Sequence, residues 1–166
     1  MGGKGTPAVT AARRAGVALT VHEFEATAAD GRGYGLAAAE AMGVDPTRVF
    51  KTLVVAVDGA LAVAVVPVGG ECDLKAVAGA LGGKRAVMAD QRDAERATGY
   101  VVGGISPLGQ RRRLPPVVDA SALPLSTVFV SGGRRGLELE LAPSDLVALS
   151  GAVEAPIALP KLRGKP

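Results

Sequence analysis

The chain has 166 residues, 48% of them hydrophobic and 21% charged, with a formal net charge of +3. That is about one domain's worth of sequence, apolar enough to bury a core without disulfide or metal staples. One Cys and one His exclude a disulfide framework, a cysteine zinc cluster and a His-rich metal site, and would leave any Ser-His-Asp triad hanging on His22. Aromatics at 3% and the absence of Trp leave no platform for stacking several bases.

Residues 1–5 read as a flexible leader, without the apolar block of a signal peptide. Thr6-Pro7 opens a short helix, Thr as N-cap and Pro at the first helical position, and Gly16 closes it. Val17 to Phe24 is rich in β-formers and predicts a strand. Glu25 to Gly33 is a small, polar loop, followed by an Ala-rich helix over Leu36 to Met42 that Gly43 ends. Asp45-Pro46 starts a brief helical turn. Val49 to Val57 and Leu61 to Val68 are nearly all apolar and flank Asp58-Gly59, a hairpin turn signal, so they predict paired central strands covered on both faces. Asp73 caps a helix to Leu81, a short strand covers Ala86 to Met88, and Asp90 caps a helix to Ala97. A Gly-rich segment runs from Gly99 to Gly109. Strands follow at Val117 to Asp119 and Thr127 to Val130, then a tight turn at Ser131-Gly132-Gly133. A strand at Leu137 to Leu141 carries charges on alternate positions, and Ala142-Pro143-Ser144 opens a last helix to Ser150.

This pattern predicts a single α/β domain over residues 6–150, a mixed sheet wrapped by helices, with a loosely ordered basic tail over 151–166. No apolar run approaches the length of a membrane-spanning helix, so no membrane partner is expected and a cytoplasmic location is.

Four features could carry chemistry. Lys51 lies inside an apolar β-run, where a charge needs a partner or a purpose. It either snorkels from a strand end or serves in a cleft, and the residues alone leave both open. The segment from Thr98 to Gln110, TGYVVGGISPLGQ, has glycines that let backbone N–H groups approach a ligand, but it is neither a P-loop nor a dinucleotide fingerprint. Ser131 to Gly136, SGGRRG, is either a ligand-facing turn or a plain hairpin connection. Arg111, Arg112 and Arg113 are either a solvated stretch or phosphate contacts. Cys72, between Glu71 and Asp73, sits where carboxylates disfavour a thiolate and reads as a bystander; His22, in a strand, reads as structural.

Taken together, KTLVVAV from Lys51, MAD at Met88 to Asp90, TGYVVGGISPLGQ followed by RRRLP, and VFVSGGRRGLELEL resemble the bacterial YbaK-type aminoacyl-tRNA deacylases. Within that family they look most like the Cys-tRNA(Pro) deacylase branch. TPAV at Thr6, Tyr34-Gly35 and MGVDP at Met42 to Pro46 fit as well, so the resemblance runs in order from about Thr6 to Ser150. It implies a mixed, mostly antiparallel curved sheet surrounded by helices, related to the editing domain of bacterial prolyl-tRNA synthetases. It also implies a role in double-sieve editing, clearing cysteine from mischarged tRNA(Pro), with Cys-tRNA(Cys) as a second candidate substrate. Lys51 matches the family's essential lysine. Gly103, Gly104, Ile105, Ser106 and Pro107 match its Gly-x-x-x-Pro loop, and Ser131, Gly132 and Gly133 match a turn bordering the same cleft. Tyr34, Gly35, Thr52 and Phe24 complete the implied substrate-binding set, with Phe24 standing where many members carry a tyrosine.

By family precedent the substrate's own thiol attacks its ester and releases a cyclic thiolactone, so no cofactor and no protein nucleophile are expected. Lys51 would hold the terminal ribose or phosphate. The implied partners are the acceptor end of mischarged tRNA and, transiently, prolyl-tRNA synthetase; DNA is not among them. Two alternatives stand beside this reading. One is a sister deacylase that uses water on another charged tRNA such as Ala-tRNA(Pro). The other is a tRNA- or synthetase-binding module without catalysis.

Overall fold

The computed structural model describes residues 5–25 and 33–160. The expected leader, the polar loop before Gly33 and the last six residues fall wholly or largely outside that range. The helices are α1 (Pro7–Ala15), α2 (Tyr34–Met42), α3 (Leu74–Ala80), α4 (Gln91–Thr98) and α5 (Pro143–Ser150). The strands are β1 (Thr20–Glu23), β2 (Phe50–Val57), β3 (Ala60–Pro67), β4 (Gly70–Cys72), β5 (Ala86–Met88), β6 (Pro116–Asp119), β7 (Val128–Arg134), β8 (Leu137–Leu141), β9 (Val153–Ala155) and β10 (Ala158–Pro160). The mixed, mostly antiparallel architecture is the expected one, arranged as three hydrogen-bonded sheets. A five-stranded sheet has the order β5-β2-β3-β6-β9, a three-stranded sheet β1-β8-β7, and β10 pairs with β4.

Local chemistry explains the boundaries. The Thr6 hydroxyl accepts from Val9 N (3.2 Å) and donates to the Gly132 carbonyl (2.5 Å), so one residue caps α1 and ties it to β7. Asp73 and Asp90 cap α3 and α4 in the same way. Asp58 (φ 49°) and Gly59 (φ 88°) both sit in the left-handed region that a tight β2–β3 hairpin demands. β3, the middle strand of its sheet, is buried on both faces from Ala62 to Val66. Its two faces serve two cores. Val63 and Val65 pack with Phe50, Val54 and the leucines of β8, while Ala62, Ala64 and Val66 pack with Val55, Val77 and Ile157.

Two expectations are corrected. Ser131-Gly132-Gly133 is not a turn: these residues continue β7 through a bulge between Ser131 and Arg134, and the chain reverses at Arg135-Gly136. The loosely ordered tail is also not what residues 151–160 form. β9 runs parallel to β6 and β10 antiparallel to β4, while the buried Asp119 carboxylate accepts from Ile157 N (2.8 Å) and Ala158 N (2.9 Å). Backbone donors that would otherwise be buried unpaired are thereby satisfied, and that fixes the segment.

Candidate active site

The site is built on an interruption in the β2 edge. Val68 N donates to the Val49 carbonyl (2.9 Å) on the β3 side, and Ala89 N donates to the Val54 carbonyl (3.1 Å) on the other side. Strand alternation therefore turns the Thr52 backbone groups to the outer edge. That edge bridges to Phe129 of β7 at Val49 and pairs with β5 from Val55 onward, leaving residues 50–54 between two neighbours. A cavity of about 370 Å³ opens there, bounded by β2, the start of α2, the loop before Ile105, and β7 and β8.

Lys51, Thr52, Tyr34, Gly35, Gly103, Ile105 and Ser131 all line the cavity. The structure thus brings together residues that are up to about a hundred positions apart in the chain. Lys51 is half-buried on the face of β2 shared with Leu53 and Val55, and its charge is felt at Cys72. Burial and then Asp73 push the Cys72 thiol up, and Lys51 only partly offsets them. Tyr34 is anchored by its phenol oxygen, which accepts from Gly136 N (2.6 Å). The Arg135 guanidinium lies 4.8 Å above the Tyr34 ring, placing a cation at the rim. Burial pushes the Tyr34 phenol above its ordinary value.

The glycine-rich loop is held, not loose. Val102 N donates to the Glu95 carboxylate (2.9 Å), and the Tyr100 hydroxyl donates to the Leu108 carbonyl (2.7 Å). Gly104 is required by close approach, because a Cβ there would lie 2.7 Å from the Arg134 backbone. Gly35 has the same reason on the opposite wall, where a Cβ would meet Val68 at 2.4 Å.

Other predicted residues do not reach the cavity lining. Ser106 is fully buried and caps its own loop, accepting from Leu108 N (3.2 Å), and Pro107 lines a different groove beside α5. Gly104 and Gly133 line a shallow groove with Arg134 and Arg135. Gly132 lies under Thr6, and Phe24 pairs by its backbone with the Gly136 carbonyl (3.0 Å). Arg111, Arg112 and Arg113 are exposed and outside the cavity; Arg111 covers Gly99, and Arg113 donates to the Leu149 carbonyl (3.2 Å). His22 is structural, as expected: its Nε2 meets Glu140 at 2.8 Å and its ring packs on Phe129.

Sequence reasoning missed Glu138, which also lines the cavity. It is 3% exposed, its Oε1 has no hydrogen-bond partner, and burial pushes its carboxyl up to about 8. The Thr52 hydroxyl oxygen is likewise buried and unpartnered. The signal for Glu138 was present in the alternation LELEL, which reads equally well as an exposed charged face.

With this geometry in view, comparison with known proteins places the chain in a class. Residues 34–149 match the aminoacyl-tRNA editing domain family, and the chain belongs to it. It is 40% identical over 120 residues to an Enterococcus faecalis protein, EbsC, whose name assigns it as a Cys-tRNA(Pro)/Cys-tRNA(Cys) deacylase. That match covers 72% of this chain and 73% of the relative. A solved structure described as a trans-editing enzyme for prolyl-tRNA synthetase is 27% identical with a TM-score of 0.75, covering 90% of this chain and 97% of that one. A hypothetical protein of known structure, also 27% identical, superposes with a TM-score of 0.82, covering 93% of this chain and all of that one.

Proposed function

We propose that this editing domain is a deacylase that clears cysteine from Cys-tRNA(Pro), with the substrate thiol attacking its own ester. The observation that carries the reading is the composition of the cavity. Its polar groups are Lys51, the outward backbone of Thr52, Gly103, the Glu138 carboxyl and a few neutral side chains, and no Cys or His of the described residues lines it. Such a site is suited to hold and orient an aminoacyl end and to supply donors for developing negative charge. The thiol sulfur attacks the ester carbonyl, the carbon–oxygen bond to the ribose breaks, and the leaving oxygen takes up a proton as the thiolactone departs. Lys51 holds the terminal ribose or its phosphate. Arg135 at the rim and the exposed Arg111 and Arg112 meet acceptor-end phosphates. The name of the 40%-identical relative supports the cysteine substrate, and the trans-editing description of the solved relative supports a transient synthetase partner. A deacylase of charged tRNA works where translation does, which supports a cytoplasmic location.

Single-turnover deacylation of Cys-, Ser- and Ala-tRNA(Pro), with the released product identified, tests this. Cysteine is expected to leave faster by several orders of magnitude and to appear first as a thiolactone, because a well-placed internal nucleophile is worth several kcal/mol. Comparable rates for alanine and cysteine would make this a water-using enzyme ranked by side-chain fit, where differences are about 1–3 kcal/mol. No acceleration on any of the three would leave a binding module.

A further inference from the structure

The deacylation reading gives no task to the one carboxyl of the described residues that lines the cavity, Glu138. Glu138 stands on the face of β8 that looks across the three-stranded sheet toward the cavity, directly opposite Ser131 of β7 and His22 of β1. The charged and titratable groups around it are few and mostly committed. His22 is turned to Glu140, the Tyr34 phenol is engaged with Gly136 N, Arg135 lies over the Tyr34 ring, and Lys51 stands across the cavity on β2. Glu138 Oε1 is buried and has no partner, as has the Thr52 hydroxyl on the facing strand. Burying a carboxyl oxygen without a hydrogen-bond partner costs stability, so its retention in a ligand cavity calls for a ligand that donates to it.

Resting on the deacylase reading for the identity of the ligand, we propose that Glu138 is the receptor for the α-ammonium of the aminoacyl group. The chemistry fits by elimination within the ligand. An aminoacyl ester presents a carbonyl, ring oxygens and phosphates, which are acceptors suited to Lys51 and backbone N–H groups. Its ammonium is the one cationic donor, and it needs an acid. Burial pushes the carboxyl up to about 8, which favours its neutral form. An arriving ammonium favours the ionised form, and the carboxyl proton goes to bulk water. Such a contact orients the Cα substituents, so the side-chain sulfur is delivered to the ester instead of rotating away from it.

The test uses binding and does not depend on turnover. Two non-cleavable ligands are compared by calorimetry: 3′-cysteinylamino-3′-deoxyadenosine and its 3-mercaptopropionyl counterpart, which lacks only the amino group. The wild-type protein is expected to prefer the amino ligand by roughly ten- to hundredfold, the range of a hydrogen bond to a charged group. Glu138→Gln keeps the shape and removes the acid, and is expected to bind the two alike. A preference that survives in Glu138→Gln, or no preference in the wild type, overturns the proposal. Failure of the deacylase reading is separate: it would show as ligand binding without cleavage of the corresponding ester.

Discussion

Glu138 and Glu140 sit two residues apart on one strand, on one face, and have opposite fates. Glu140 lies at the scaffold end of β8. Its Oε2 accepts from the Thr127 hydroxyl (2.6 Å) and Arg48 (3.2 Å), and its Oε1 meets His22 (2.8 Å). Arg48 also donates to the Thr127 hydroxyl and lies over the Phe129 ring, so the helical turn before β2 is riveted to the small sheet. The Thr127 hydrogen bond, then those of the other partners, holds the Glu140 carboxyl below its usual value. Glu138, at the cavity end, has burial and no compensation. The same residue type in the same alternation therefore locks the fold at one end and leaves an open demand at the other. The two carboxyls also respond to pH with opposite signs.

Three experiments break or sharpen that contrast. The largest effect belongs to the cavity end: Lys51→Ala is expected to reduce deacylation to the uncatalysed rate while the thermal melt moves by only a few degrees. Wild-type turnover per folded molecule with a lowered melt would make Lys51 part of the scaffold.

The second experiment concerns the Glu138 carboxyl, which keeps its proton in the folded chain up to about 8, whereas the unfolded chain loses it near 4.5. The unfolded state thus binds fewer protons between those values. The stability this group allows is full below pH ~4.5 and falls as pH rises from there to 8, by about 5 kcal/mol at most. Glu138→Gln removes the dependence. Its melting advantage over the wild type is expected to widen by about 5–10 °C between pH 5 and pH 8. A constant gap would mean that Glu138 is compensated in solution.

The smallest effect belongs to the scaffold end. Glu140→Gln is expected to cost about 1–2 kcal/mol at neutral pH without changing turnover per folded molecule. Because the Glu140 carboxyl is depressed in the fold, that contribution is present above the ordinary carboxylate range and fades as pH falls below it. Urea denaturation at pH 7 and in acid reads the difference. A loss of activity in a fully folded Glu140→Gln protein would dissolve the division between the two ends.

Much of this molecule was legible where the physics is local. Thr6-Pro7, Asp73 and Asp90 mark helix starts because one side chain satisfies one nearby N–H, and Asp58-Gly59 marks a hairpin because few residues tolerate its backbone. Lys51 stood out because a cation in an apolar strand is costly. Non-local features did not show. β4, β9 and β10 are three-residue strands whose pairing partners lie far away in the chain, and the β-formers of β5 that made its equally short run legible are missing from β4 and sparse in β9 and β10. Glycines at 132 and 133 suggest a turn, yet they serve a bulge that lets β7 pass under Thr6 and Tyr100. Glu138 was hidden because alternation specifies which residues share a face and says nothing about what covers it.

The pairing of β9 with β6 has a consequence for how the protein is made. β6 is flanked by β3 on one edge and β9 on the other, and the Asp119 carboxylate at its end waits for Ile157 N and Ala158 N. On the ribosome the strands of the cavity emerge well before residues 153–160, so the nascent five-stranded sheet has an open side until those residues follow. An exposed edge is a template for pairing with another chain. β9 and β10 therefore act as a seal on strands made before them, and the interval before it closes is when two nascent copies are most apt to join edge to edge.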